Sequence, residues 1–200
     1  MLEKKELEDI LKLKGDVRGA VFQTDAKYVL EKEGEAGLKR LEKEIFERTG
    51  QPVKYGKEVI ATNWYPLSWR ILSLVFVKEL FGWDDKDIFE MGLIAPKYSF
   101  IVKTLLRYFV SLEKTFAESS KYWREHYSIG ALYSPEIDIE NKRLVIQLKD
   151  FKIHPILCHY FRGYFKAIAN LTLRTNKIDI KEDKCAFKGD PYHQFIITWE

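Results

Sequence analysis

Lys142-Arg143-Leu144-Val145-Ile146-Gln147-Leu148-Lys149 is the stretch that decides the class of fold. Leu144, Ile146 and Leu148 fall on one side of an extended chain, while Arg143, Gln147 and Lys149 share the other with Val145. That period of two marks a half-buried strand. Downstream, Ile178 and Ile180 begin another strand, Lys188-Gly189-Asp190-Pro191 supplies turn residues, and Phe195, Ile197 and Trp199 mark a closing strand. With the segment Tyr127 to Tyr133, these runs predict a small antiparallel sheet of three to five strands in the C-terminal half.

Upstream of about residue 128 the apolar period becomes helical. Leu38, Leu41, Ile45 and Phe46 form one stripe opposite Lys39, Glu42, Lys43 and Glu47, with Gly50 as C-cap. Pro66 opens a helix over Leu67 to Phe81 that leaves little polar face, and Gly82 ends it. Asp84 caps Asp85 to Ala95, Pro96 interrupts, Tyr98 to Val110 resumes with Phe100, Ile101, Leu105 and Phe109, and Leu112 to His126 follows as one helix. After the first strand, Pro155 starts a helix reaching Leu173. Helices gathered on one side of a small antiparallel sheet, with an N-terminal helical part, make an α+β fold.

The chain has 200 residues, enough to bury a sizeable core, and 46% hydrophobic with 14% aromatic residues excludes a disordered chain. Lys+Arg 33 against Asp+Glu 30 gives +3, with the signs interspersed, so no nucleic-acid partner is implied. Ile71 to Val77 is too short to span a bilayer, and the charged opening Met1-Leu2-Glu3-Lys4-Lys5 is no signal peptide. Two cysteines build no disulfide framework, and a reducing cytoplasm is the expected location.

Those cysteines lie in the one chemically coherent cluster that the predicted topology assembles: Cys158 on a helix, and Glu182, Cys185 and His193 on the final hairpin. A turn centred on Gly189 sets Cys185 opposite His193, within reach of one ion. The four would offer two thiolates, a carboxylate and an imidazole to a tetrahedral cation of the zinc type. Glu182 and Cys185 differ in parity, so a bulge near Asp183-Lys184 is required. From spacing alone a second reading stands beside it: two small buried hydrophobes, a strand histidine and a solvated glutamate.

The run Cys158-His159-Tyr160-Phe161-Arg162-Gly163-Tyr164-Phe165, then Glu182-Asp183-Lys184-Cys185 and Gly189-Asp190-Pro191-Tyr192-His193, resembles the C-terminal signature of 4-vinyl-reductase-type domains. That signature has a Cys, a Gly five residues on, Glu-x-x-Cys after a strand, a Gly-Asp-Pro turn, and a final Cys beside an aromatic. These domains belong to the superfamily of ligand-binding domains in nitric-oxide signalling and Golgi transport. The resemblance implies a small sheet with helices packed on it, an apolar ligand pocket, frequent homodimers, and zinc on Cys158, Glu182 and Cys185, with His193 standing where the last cysteine would be. From Asp16 onward the chain also resembles a myxobacterial family of unknown function, in Arg18-Gly19-Ala20-Val21-Phe22, Tyr65-Pro66-Leu67-Ser68-Trp69 and Ile197-Thr198-Trp199. The nitric-oxide sensors grip haem propionates through Tyr-x-Ser-x-Arg; that spacing is absent here, so no haem is expected. Residues 1–60 are read as an N-terminal helical segment and 61–200 as the 4-vinyl-reductase-like domain.

No Gly-x-Gly-x-x-Gly, Walker A, Gly-x-Ser-x-Gly or His-Glu-x-x-His occurs, so nucleotide binding and the common hydrolytic chemistries lack a motif. The expected function is a non-catalytic sensory domain for a small apolar or aromatic molecule. Trp69, Phe100, Tyr108, Trp123, Phe161 and Phe165 are the candidate pocket walls. A homodimeric adaptor of the Golgi-tethering type, or a tetrapyrrole side-chain reductase, are the alternatives.

Overall fold

The computed structural model describes residues 2–99, 111–173, 175 and 177–200. In chain order the elements are α1 (Lys4–Leu11), β1 (Asp16–Arg18), α2 (Gly19–Thr49), β2 (Trp64–Pro66), α3 (Leu67–Phe81), α4 (Asp85–Tyr98), α5 (Leu112–Ala117), α6 (Ser119–His126), β3 (Ala131–Asp138), β4 (Arg143–Lys149), α7 (Ile156–Leu173), β5 (Ile178–Lys184) and β6 (His193–Trp199). The fold is α+β. Strands β3 to β6 form one antiparallel sheet in the order β3-β4-β6-β5. Leu144, Ile146 and Leu148 point inward and are buried, as their alternation requires. Helix α7 packs on that face, with the Phe165 and Phe195 rings 5.3 Å apart. A two-stranded ribbon, β1 with β2, is a feature the periodicity did not announce.

Helix α3 is the central rod. Leu67, Ile71, Leu72, Leu74 and Phe76 are all sealed from solvent, and Gly82 ends the helix at φ 72°. Around it wraps α2, which turns sharply at Gly34 (φ 69°) and stops at Gly50. Leu41 and Ile45 face the core, but Phe46 is 57% exposed. It stands one position, about 100° of helix rotation, away from Ile45, so a stripe that narrow leaves it outside. Helix α4 starts on a reciprocal cap between Asp84 and Asp87. It runs past Pro96 to Tyr98 rather than stopping before the proline, which sits in the last turn and removes only one helical donor. The expected helix over Tyr98 to Val110 lies largely outside the described residues. Leu112 to His126 is two helices, broken at Glu118.

α4 and α7 cross at van der Waals contact of their backbones. Gly92 lies against the Tyr160 carbonyl and Gly163 against the Phe89 carbonyl, and a Cβ on either glycine would come within 2.0 Å of that oxygen. One continuous apolar core runs from Leu7 and Phe22 through α3 to Phe195 and Ile197. Among the described residues no helix is long and apolar enough to cross a membrane.

Candidate functional site

The four predicted ligating residues converge. Strand β5 slips register between Glu182 and Lys184, and this bulge brings the Glu182 carboxylate to the same side as Cys185, which leaves the strand at the start of a short helical turn over Ala186–Lys188. Cys158 Sγ is 4.0 Å from Cys185 Sγ and 3.7 Å from His193 Nδ1, and His193 Nδ1 is 3.4 Å from Glu182 Oε1. All four donor atoms lie within 4.8 Å of one another. With metal–sulfur and metal–nitrogen bonds of about 2.3 and 2.0 Å, a tetrahedral zinc site has S···S edges of about 3.8 Å and S···N edges of about 3.5 Å. The cluster therefore has the dimensions of such a site before any ion enters.

Burial and the cluster's own hydrogen bonds set its electrostatics. Burial pushes the Cys158 thiol up, and the neighbouring Glu182 charge and Cys185 push it further. Burial would also raise Glu182, but hydrogen bonds from His193 and Cys158 outweigh it and hold the carboxyl below its usual range. Outer contacts already aim the donors. His193 Nε2 is 3.2 Å from the Phe151 carbonyl, a contact that fixes the ring with Nδ1 turned to the cluster. The Cys185 N–H donates to Asp190 Oδ2 at 2.8 Å.

A cavity of 130 Å³ lies between α7, α6 and the first turns of α2. Trp123, Phe161 and Phe165 are among its walls, together with Tyr127, Tyr160 and Tyr164. Phe100 and Tyr108 lie outside the described residues. Trp69 is not among the cavity's lining residues: its indole N–H donates to Gln51 Oε1 at 2.9 Å, and its ring lies 6.3 Å from that of Tyr65. Among the described residues, neither Asp, Glu, Lys nor Arg lines the cavity. The cavity and the cluster share a wall. Phe151, whose carbonyl receives His193, packs its ring 5.1 Å from Trp123 and 5.8 Å from Phe161.

Behind the tyrosines sits a group that the sequence reading passed over. Arg70 is completely buried, and its Nε donates to Asp25 Oδ2 at 2.9 Å. Its Nη1 donates to the Tyr127 hydroxyl, and the guanidinium lies 4.2 Å over the Tyr160 ring. Burial pulls against ionisation of Asp25, and the guanidinium pulls for it; with Arg70 held charged by Asp25, the two form a buried ion pair. The signal was a single arginine inside the otherwise apolar run of α3, which cannot be buried without an acid.

Solved structures with this architecture exist. An H-NOX protein from S. oneidensis, in the Fe(II)NO ligation state, matches at 13% identity and TM-score 0.67, over 92% of this chain and 99% of that one. An oxygen-binding H-NOX domain related to soluble guanylate cyclases matches at 11% and 0.66, over 92% and 95%. This chain has the H-NOX fold. A third match, at 12% identity and TM-score 0.58 over 91% and 99% of the two chains, is described by haem redox potential and porphyrin distortion. No protein-family model matches the sequence, and no curated protein matches it. The likeness is one of fold, and the three structures named here are described as H-NOX or haem proteins, not as 4-vinyl-reductase-type domains.

The exclusion of haem is overturned by these matches. It rested on one missing Tyr-x-Ser-x-Arg spacing, a local way of gripping propionates, whereas the H-NOX fold as a whole is found in proteins described by iron ligation states and by haem. A short motif is one solution to holding a cofactor, and its absence does not remove the architecture that surrounds it.

Proposed function

We propose that this chain is a non-catalytic sensory domain that binds a small molecule in the aromatic cavity, and that one divalent cation of the zinc type on Cys158, Glu182, Cys185 and His193 pins α7 to β5 and β6. The observation that carries this reading is the cavity itself, an uncharged aromatic hollow in a fold whose solved examples are described by bound NO or oxygen. Four protein ligands leave no position for water, so the cation is structural. Its dimensions and the likeness of its spacing to the 4-vinyl-reductase signature support it. A filled core would have favoured the adaptor reading; a hollow one favours the sensor.

Haem is the first occupant to test. His126 lies at the cavity, its Nδ1 2.9 Å from the Tyr122 carbonyl; as the donor there, it leaves Nε2 with a lone pair. The described wall offers no lysine or arginine to propionates and encloses 130 Å³, room for about one ring rather than a porphyrin, so the described residues do not fit haem as they stand. Haem, when bound, would supply an iron for a diatomic ligand.

Native mass spectrometry of untagged protein from its own host tests the reading. The expected species carries about one equivalent of metal and one retained small molecule, and Cys185→Ala loses the metal and lowers the melting temperature. A bare chain mass with an unchanged Cys185→Ala melting curve would overturn it. Addition of haemin identifies the occupant: a sharp Soret band abolished in His126→Ala assigns haem, and a retained non-haem mass assigns another molecule.

A further inference from the structure

Almost every polar group around the cavity is already committed. Thr24 Oγ1 donates to the Ala20 carbonyl at 2.9 Å, Thr115 Oγ1 to the Ser111 carbonyl at 2.9 Å, and Trp123 Nε1 to the Ile129 carbonyl at 2.9 Å. Tyr127 receives Arg70, Tyr160 is engaged by Asp25, and Ser119 is 3.3 Å from Ser134.

Tyr164 differs. Its ring is fixed by stacking on Tyr160 (centroids 6.4 Å apart, 14° between planes) and by edge contact with Phe165 at 6.1 Å. Among the described residues no hydrogen bond engages its hydroxyl. Nor is that oxygen one of the sealed, unpartnered atoms, which are Tyr28 Oη, Arg162 Nε and Asn170 Oδ1. It therefore meets open space, and Tyr164 lines the cavity. Burial raises its pKa, so it stays a protonated phenol with a proton to give. A donor on an apolar wall gains most from an acceptor that arrives already desolvated. The described lining, without Asp, Glu, Lys or Arg, penalises an ionised ligand, and a dry cavity of about 150 Å³ takes up a molecule the size of benzene.

We propose that Tyr164 is the hydrogen-bond donor that selects the ligand, and that the ligand is a neutral, mainly apolar molecule of about one ring carrying one hydrogen-bond acceptor. The proposal rests on the cavity being the binding site. Acetophenone and ethylbenzene, matched in shape and differing in one carbonyl, are the probes. Calorimetric titration is expected to give acetophenone roughly five- to tenfold tighter binding than ethylbenzene, the worth of one neutral hydrogen bond. In Tyr164→Phe that preference is lost, while ethylbenzene affinity and the melting temperature stay unchanged, since the hydroxyl removed has no partner among the described residues. Equal binding of the two probes to the wild type, or a preference that survives in Tyr164→Phe, would overturn the role of Tyr164 and leave the cavity reading standing. Failure of both probes to bind would overturn the cavity reading and this proposal with it.

Discussion

Replacing Gly163 by alanine sets two rules against each other. Helix propensity alone predicts a gain of up to about 1 kcal/mol, because glycine is a poor residue in mid-helix. The crossing of α4 and α7 predicts the opposite sign. A Cβ at 163 would lie 2.0 Å from the Phe89 carbonyl oxygen and 2.7 Å from the Leu93 nitrogen, and ordinary contact begins at 3.4 Å. Both obstacles are backbone, so no side chain can swing away, and the helices must part by about 1.4 Å, the difference between 3.4 and 2.0 Å. A gap of 0.5–1 Å already forfeits about a quarter to a half of each dispersion contact, and overpacking costs about 1–3 kcal/mol. Less the propensity gain, the net expectation is a loss of about 1–2 kcal/mol, which for a chain of this length lowers the melting temperature by about 2–8 °C. Scanning calorimetry of Gly163→Ala and Gly92→Ala reads this directly. A melting temperature equal to or above the wild type in both variants would refute the close crossing, and with it the placement of Tyr160 and Tyr164.

Arg70→Met leaves the Asp25 carboxyl buried beneath the cavity without its partner and is expected to cost about 3–5 kcal/mol, whereas Asp25→Leu combined with Arg70→Met recovers most of that loss in urea unfolding. Equal destabilisation by the double variant would mean that the pair is not coupled. Glu79 accepts the Leu2 N–H and Arg48; burial opposes ionisation, but these donors prevail and hold its pKa below the usual 4.5. A depressed folded-state pKa stabilises above the unfolded value and is lost as pH falls through the folded one, so α1 loosens below about pH 4.5 while the sheet stays protected in hydrogen exchange. In Glu79→Gln that acid step in α1 protection vanishes; its persistence would rule Glu79 out.

The sheet was legible because β4 alternates at every position but Val145, and the bulge in β5 was legible because Glu182 and Cys185 have opposite parity yet both had to reach one point. The break at Glu118 was not, since Leu112, Phe116, Ser119, Trp123 and Tyr127 keep helical spacing across it. Phe46 and Trp69 mark the limit of periodicity: a stripe gives the mean direction of a helix face, while the neighbour that covers each ring is a tertiary matter. Arg70 was visible as a charge in an apolar helix, but its partner Asp25 lies 45 positions away and no local pattern links them. The same limit applies to the cavity, whose rings were predicted inward but whose empty volume depends on how three helices meet.

Diffraction from a crystal pressurised with xenon tests most directly whether the cavity is a receptive apolar site. Xenon occupies dry apolar hollows of this size. The account predicts a single strong peak, or density for a retained molecule, among Trp123, Phe161 and Phe165, and its loss in Ala95→Leu, which fills the wall from α4. A cavity closed by its own side chains, with neither xenon nor a resident molecule inside, would contradict it.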